Sequence, residues 1–192
     1  MKVSREQAAQ NRERVVETAA KLFREKGYDG IGVADLMRGA GLTHGGFYGN
    51  FGSKEALMKE AVTYALDKGV AIWDKLALKR PEDPLDAITS AYLSAAHRDH
   101  PGQGCAIAAL GPEVARLAPE VREAMTEGVR KQLDKLAALM PPEDAGEKRQ
   151  AALVTYASMV GALVLSRAVN DAPLSEEFLS AVHAAITGMA EA

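Results

Sequence analysis

Apolar positions recur at helical spacing along most of this chain. Val15, Ala19, Leu22 and Phe23 fall at i, i+4, i+7 and i+8, the stripe of an amphipathic helix. Ser4 and Gln7 form a possible capping box before it, and Gly27 occupies the position where such a helix stops. Val33, Leu36, Met37 and Ala40 line a second, shorter helix that begins after Gly32, a weak cap, and ends at Gly41. Thr43 offers an oxygen to cap a third helix over His44 to Asn50. Ser53 does the same for a fourth, with Glu55 in its first turn. This fourth helix carries Leu57, Ala61, Tyr64, Ala65, Trp73 and Leu76, and Lys79-Arg80-Pro81 ends it after about Leu78.

The pattern stays helical beyond that point. Asp83-Pro84 opens a helix expected to reach Arg98, and Pro101, Gly102 and Gly104 break it. A short apolar helix, Cys105 to Leu110, is interrupted at Gly111-Pro112. Pro119 begins a helix carrying Val121, Met125, Val129, Leu133, Leu136 and Met140, closed by Pro141-Pro142. Glu147 to Val169 is apolar around most of its circumference, which predicts a helix buried on all sides. After a turn at Asn170 to Pro173, Ser175 is expected to cap a last helix. Glu176 and Glu177 would sit in its first turn, and Phe178, Val182, Ala185, Ile186 and Met189 would line one face. No segment alternates with period 2 as a half-buried strand does, so the fold class is all-α.

Charge adds a modest asymmetry. The 192 residues carry a formal net charge of −3, divided as +2 over residues 1–60 and −5 over the remainder. That fits a front facing a polyanion and a neutral or acidic rear. The N-terminal residues have no apolar core, so no signal peptide is expected. The most apolar run, Ala151 to Ser166, is shorter than the ~20 residues that span a bilayer, so no membrane partner is expected and the protein reads as cytoplasmic.

The stretch Val33 to Leu57 carries the most information. Two short helices joined by a glycine turn, each too short to be stable alone, are the sequence form of a helix-turn-helix. Gly41-Leu42-Thr43, Gly45, Phe47, Tyr48, Phe51 and Ser53-Lys54-Glu55-Ala56-Leu57 resemble the DNA-binding domain of the TetR/AcrR family of transcriptional regulators, and Arg14 to Gly30 resembles that family's first helix and its exit. The close resemblance covers about Arg12 to Ala61. It departs from the family pattern at Gly32, Asn50 and Gly52, and in the three recognition-helix glycines Gly45, Gly46 and Gly49, each disfavouring helix by about 1 kcal/mol.

The resemblance implies a three-helix DNA-binding domain over residues 1–60 and a helical effector-binding and dimerisation domain over 61–192. Its partners would be double-stranded DNA, a second copy of the chain and a small, mainly apolar effector that releases a repressor from a palindromic operator. No cofactor is implied. Thr43, Gly45, Tyr48 and Lys54 would hold phosphates, and His44 and Asn50 would reach bases or backbone. The homodimer would form from the last two long helices of each subunit, where Ala157, Gly161 and Ala162 permit close approach. Tyr64, Trp73, Tyr92, Met125, Tyr156 and Met159 are the candidate lining of an effector cavity.

Other chemistry is weaker. His97 and His100 share a helix face near Cys105, but two histidines and one thiol fall short of a supported metal site, so no metal is expected. Cys105 is the single cysteine, which excludes an intramolecular disulfide and leaves a redox- or electrophile-sensing regulator as an alternative, set against a small buried hydrophobe. An enzyme using the helix-turn-helix only for packing is the alternative from another class. No catalytic residues are assigned, because neither a nucleophile triad nor a nucleotide-binding glycine loop appears.

Overall fold

The computed structural model describes residues 4–141 and 144–190, with side chains to residue 188. Ten α-helices and two 3₁₀ turns make up the described residues. They are α1 (Arg5–Lys26), α2 (Val33–Gly39), a 3₁₀ turn (His44–Gly46), α3 (Phe47–Phe51), α4 (Lys54–Lys79), α5 (Pro84–Tyr92), α6 (Ala95–Asp99), a second 3₁₀ turn (Pro101–Gln103), α7 (Ala106–Val114), α8 (Pro119–Leu139), α9 (Ala145–Ala168) and α10 (Ala172–Ala190). The fold is all-α.

Helix ends set by local chemistry fall where the sequence places them. Ser4 and Ser53 accept the backbone N–H groups of Gln7 and Ala56 at 3.1 and 3.0 Å, and Asp83 accepts that of Asp86 at 3.0 Å. Only half of the capping box forms, because the Gln7 side chain turns to Asn11 instead. At the end of α2, Gly41 has φ 70°, its N–H donates to the Arg38 carbonyl, and the Leu42 N–H donates to the Met37 carbonyl, both at 2.9 Å. This is a complete Schellman closure, which requires the left-handed residue that glycine supplies without a Cβ clash.

Several ends differ from the sequence reading. The helix begun at Pro84 stops at Tyr92. Ser94 then starts α6 by accepting the His97 N–H at 3.2 Å, a side-chain bond that competes with continuing the helix. Pro112 does not interrupt α7, which runs through it to Val114. α10 starts at Ala172, earlier than expected. Asp171 accepts the Leu174 N–H at 3.0 Å, and Pro173 suits the first turn. Ser175 is therefore not a cap. It is buried, and its hydroxyl donates to the Ser166 carbonyl at 2.6 Å, tying α10 to α9. Glu176 and Glu177 accordingly fall outside the first turn, which holds no acidic residue. The inward stripe of α10 runs through Ser175, Leu179 and Ile186, while Ala185 is exposed. Met189 and Pro142 lie outside the described side chains.

Two apolar clusters organise the packing. The front cluster joins α1, α2, α3 and the first part of α4, around Phe23, Leu36, Phe47 and Leu57, and also takes Leu110 and Val114 of α7 and Val121 and Met125 of α8. The rear cluster gathers α5, α8, α9 and α10 around Trp73, Ile88, Leu136, Met159 and Leu163. α4 contributes to both, with Leu57 to Leu66 in front and Trp73 behind. α8 packs closely along it at Gly128, where a Cβ would lie 2.3 Å from Leu66. Any larger residue there would push the two helices apart.

α9 is not buried on all sides. Val154 is 52% exposed and Leu165 45%, with Leu153 and Val164 also facing outward. Among the described helices α9 alone is long and apolar enough to cross a bilayer, yet its other face packs into the rear cluster against α8 and α10.

Candidate DNA-binding surface and effector cavity

α3 has only five residues and poor intrinsic propensity, so tertiary packing must hold it. Phe47 and Phe51 do this. Both are buried in the front cluster, with ring centroids 5.7 Å apart, and the Arg12 guanidinium lies 4.9 Å from the Phe51 ring centroid. Burying these two rings leaves Thr43, His44, Gly45, Tyr48, Gly49 and Asn50 exposed on one surface. Tyr48 is 63% exposed and meets the His44 ring edge-on at 6.0 Å. A Cβ at Gly45 or Gly49 would meet nothing within 4 Å, so the surface there is open to close backbone approach.

The sequence expectations are modified in three places. The recognition segment opens as a 3₁₀ turn and becomes α-helical only at Phe47. Thr43 makes no capping bond, because the 3₁₀ opening follows it, and its hydroxyl is left outward. Asn50 turns back to donate its Nδ2 to the Gly46 carbonyl at 2.6 Å, which leaves its side-chain oxygen outward. Lys54 is half-buried. Its Nζ donates to the Tyr28 carbonyl at 2.5 Å and sits 4.2 Å from the Tyr28 ring centroid, fastening the start of α4 to the exit of α1. An ammonium has three donors, so two remain for a phosphate.

Behind this domain lies a cavity of about 650 Å³ between α1, α4, α5, α8 and the segment around Gly102. α4 gives it Tyr64, Ile72, Trp73 and Leu76, and α5 gives Ile88 and Tyr92. Of the six expected lining residues, Tyr64, Trp73 and Tyr92 are present. Met125, Tyr156 and Met159 are not. Met125 belongs to the front cluster and Met159 is fully buried in the rear one. Tyr156 stands behind Trp73, centroids 6.2 Å apart, and donates its hydroxyl to Gln132 Oε1. Helical spacing gives an inward face but not which inward residues meet space and which meet neighbours.

The sequence reading missed the polar part of the wall: Arg24, His97, Gln103 and Gln132, with Cys105 beside them. His97 closes the loop between α6 and α7. Its Nε2 accepts the Cys105 N–H at 2.9 Å, so Nδ1 carries the proton and donates to the Tyr92 carbonyl at 2.7 Å. Burial lowers its pKa below 6.5, the bond to the Tyr92 carbonyl opposes that, and Arg167 and Arg24 add to the lowering. With both ring nitrogens on backbone groups, His97 is not available to a metal. His100 turns its Nδ1 to the Ala96 carbonyl at 2.8 Å. Cys105 is half-buried: it packs against the edge of the rear cluster and also lines the cavity wall. Burial raises the Tyr92 and Tyr156 pKa values, so both phenols stay protonated.

Comparison with known proteins agrees with this geometry. Residues 15–61 match the family model described as bacterial regulatory proteins, tetR family. The HTH-type transcriptional regulator YerO of Bacillus subtilis (strain 168) is 32% identical over 95 residues, 47% of this chain and 32% of YerO, so the match spans about a third of that relative's length. Among solved structures, a TetR transcriptional regulator from Chloroflexus aurantiacus superimposes with TM-score 0.72 at 29% identity, covering 93% of this chain and 95% of that one. Reduced Escherichia coli NemR has the same fold, with TM-score 0.78 at 24% identity over 94% of this chain and 97% of its own. The matched segment runs from within α1 to the first turns of α4 and presents the Thr43 to Asn50 surface, so the front of the chain is a helix-turn-helix DNA-binding domain of the tetR type, and the whole chain shares the fold of TetR-family transcriptional regulators.

Proposed function

We propose that this regulator is a repressor that binds a palindromic duplex site as a homodimer and leaves it when a small molecule fills the rear cavity. The observation that carries the proposal is α4. It runs unbroken from Lys54 to Lys79, with its first turns in the DNA-binding fold and its middle forming a wall of the cavity. A ligand weakens DNA binding only if it prefers the conformation that misfits the site, and a helix shared by both sites is a physical means for that preference to act.

On DNA, Thr43, Gly45, Tyr48 and Lys54 take phosphates, and His44 and Asn50 face base edges or backbone. The outward apolar residues of α9 supply a self-complementary face, and pairing α9 and α10 with those of a second copy removes it from water. Two recognition segments on a two-fold dimer then meet major grooves about 34–36 Å apart. The protein acts in the cytoplasm, where its DNA is.

Cys105 supports a second reading of the signal. Its thiol lies on the same cavity wall, so an electrophile or oxidant entering the cavity would act there and not at a separate place.

The test is fluorescence anisotropy of labelled DNA flanking the gene, titrated with protein and then with a small-molecule panel. Saturable binding to one duplex, weakened by a compound that alters Trp73 emission, is the expected result. Binding that no compound weakens would exclude the ligand-released repressor.

A further inference from the structure

The polar wall of the cavity has an unbalanced character. Tyr92 is buried, and among the described residues its hydroxyl meets no partner apart from the neighbouring Cys105 thiol, a poor acceptor. Gln132 is also buried. Its Oε1 accepts the Tyr156 hydroxyl, and its Nε2 lies over Gly69 on the cavity wall with no acceptor among the described residues. Arg24 reaches from α1 and donates Nε and Nη2 to the Gly102 carbonyl at 3.1 and 2.5 Å, but forms no ion pair among the described residues. Burial lowers its pKa from the ordinary arginine value, against smaller raising effects of Cys105, Tyr64 and Glu25. His97, on the same wall, has both nitrogens engaged by backbone. Among the buried side chains of this wall only donors are left over; Gln103, also on it, is exposed.

Carboxylates on this side are already matched. Glu17, at the cavity edge, accepts the Tyr64 hydroxyl at 2.9 Å and Lys68 Nζ at 3.4 Å, and Lys21 lines the same edge. The apolar part of the wall includes Ile72, Trp73, Leu76 and Ile88, with the Trp73 ring centroid 6.4 Å from that of Tyr92. A partly buried guanidinium with no ion pair, a phenol with only a thiol beside it and an amide with free N–H groups, among the described residues, form a receptor for a negatively charged acceptor. From this arrangement we infer that the effector is an anionic amphiphile, an apolar body carrying one carboxylate, with the carboxylate held by Arg24, Tyr92 and Gln132 and the body lying against Trp73. The inference rests on the cavity being the effector site, and it replaces a merely apolar ligand by one with an acidic head.

Trp73 is the single tryptophan and lies on the cavity wall, so its emission reports occupancy directly. The probes are decanoate, decan-1-ol and decyltrimethylammonium, matched in chain length and used below their aggregation concentrations with the full chain. Decanoate should bind about tenfold or more tighter than either other probe, the scale of a charge-assisted hydrogen bond. Arg24→Gln should bring decanoate down to the level of the alcohol, and Arg24→Lys should restore part of the difference. Tyr92→Phe should weaken decanoate severalfold and leave decan-1-ol unchanged. If Arg24→Gln fails to fold, Tyr92→Phe and Gln132→Met carry the same comparison from the other side of the head. Equal binding of acid and alcohol, preference for the cation, no binding of any probe, or a preference for decanoate that survives these substitutions would overturn the inference. DNA release is read separately. Decanoate that binds without releasing DNA leaves the acidic-head site standing and fails the repressor-release reading. Release by the alcohol or the cation, with no preference for the acid, does the reverse.

Discussion

Tyr92 has a phenol hydroxyl buried at the cavity wall with no acceptor among the described residues beyond the weak one of the Cys105 thiol. Leaving such a group without a bond costs about 1–3 kcal/mol, so Tyr92→Phe should leave the free protein as stable or more stable, although it weakens an anionic ligand. Thermal unfolding of the two proteins checks this, and a clear fall in Tm for the variant would show that the hydroxyl has a partner. His97 makes the opposite kind of contribution. It is held neutral, with a folded pKa below 6.5, so the stability it supplies is present above pH 6.5 and is lost as pH falls through the lowered value. Denaturant unfolding should show a decline from pH 7 to pH 5 that flattens in His97→Gln, and an equal slope in both proteins would remove His97 from the cause. Neither residue's role was legible in the sequence. In the sequence His97 is only one of two histidines that fall short of a metal site, because its two backbone partners are set by the break at Leu93 and the loop to Cys105. Tyr92 was named, but only as one of six candidate lining residues.

At the scale of elements, the helix-turn-helix was the most legible part, because its signals are local. Gly41 at φ 70°, the Ser53 cap and the apolar spacing of α2 follow from adjacent residues. Gly41→Ala should therefore destabilise by about 1 kcal/mol or more, through strain at a left-handed position, without changing any contact. α3 depends on Phe47 and Phe51 for its order, not on its own glycine-rich sequence. Hydrogen exchange should find weak protection from His44 to Gly49 in the free protein and stronger protection on DNA, and strong protection in both states would contradict that dependence. The bond from Lys54 to the Tyr28 carbonyl could not be read from the sequence, since it joins positions 26 residues apart. Lys54→Ala should lower affinity for all duplexes, reduce the salt dependence by about one counterion per half-site and also loosen the junction of α1 with α4. Unchanged affinity and salt slope would remove it from the phosphate contacts.

For the whole molecule, helical periodicity fixed the fold class, and the all-round apolar character of α9 marked it as a helix needing cover on every side. The single chain covers only part of it, because an apolar pattern does not say whether the cover comes from the same chain or from another copy. Leu165→Glu on the outward face should leave the fold intact and shift light scattering at micromolar concentration towards the monomer mass, with DNA affinity falling in parallel. A dimer mass in the variant would place the interface elsewhere. The central claim is that the cavity and the DNA surface are coupled through α4. The most direct test follows Trp73 emission and the anisotropy of labelled operator DNA in one titration with the first compound that saturates the tryptophan signal. Coupling requires the compound to lower DNA affinity, and saturating DNA to lower affinity for the compound by the same factor. Full occupancy at Trp73 with DNA affinity unchanged would contradict it.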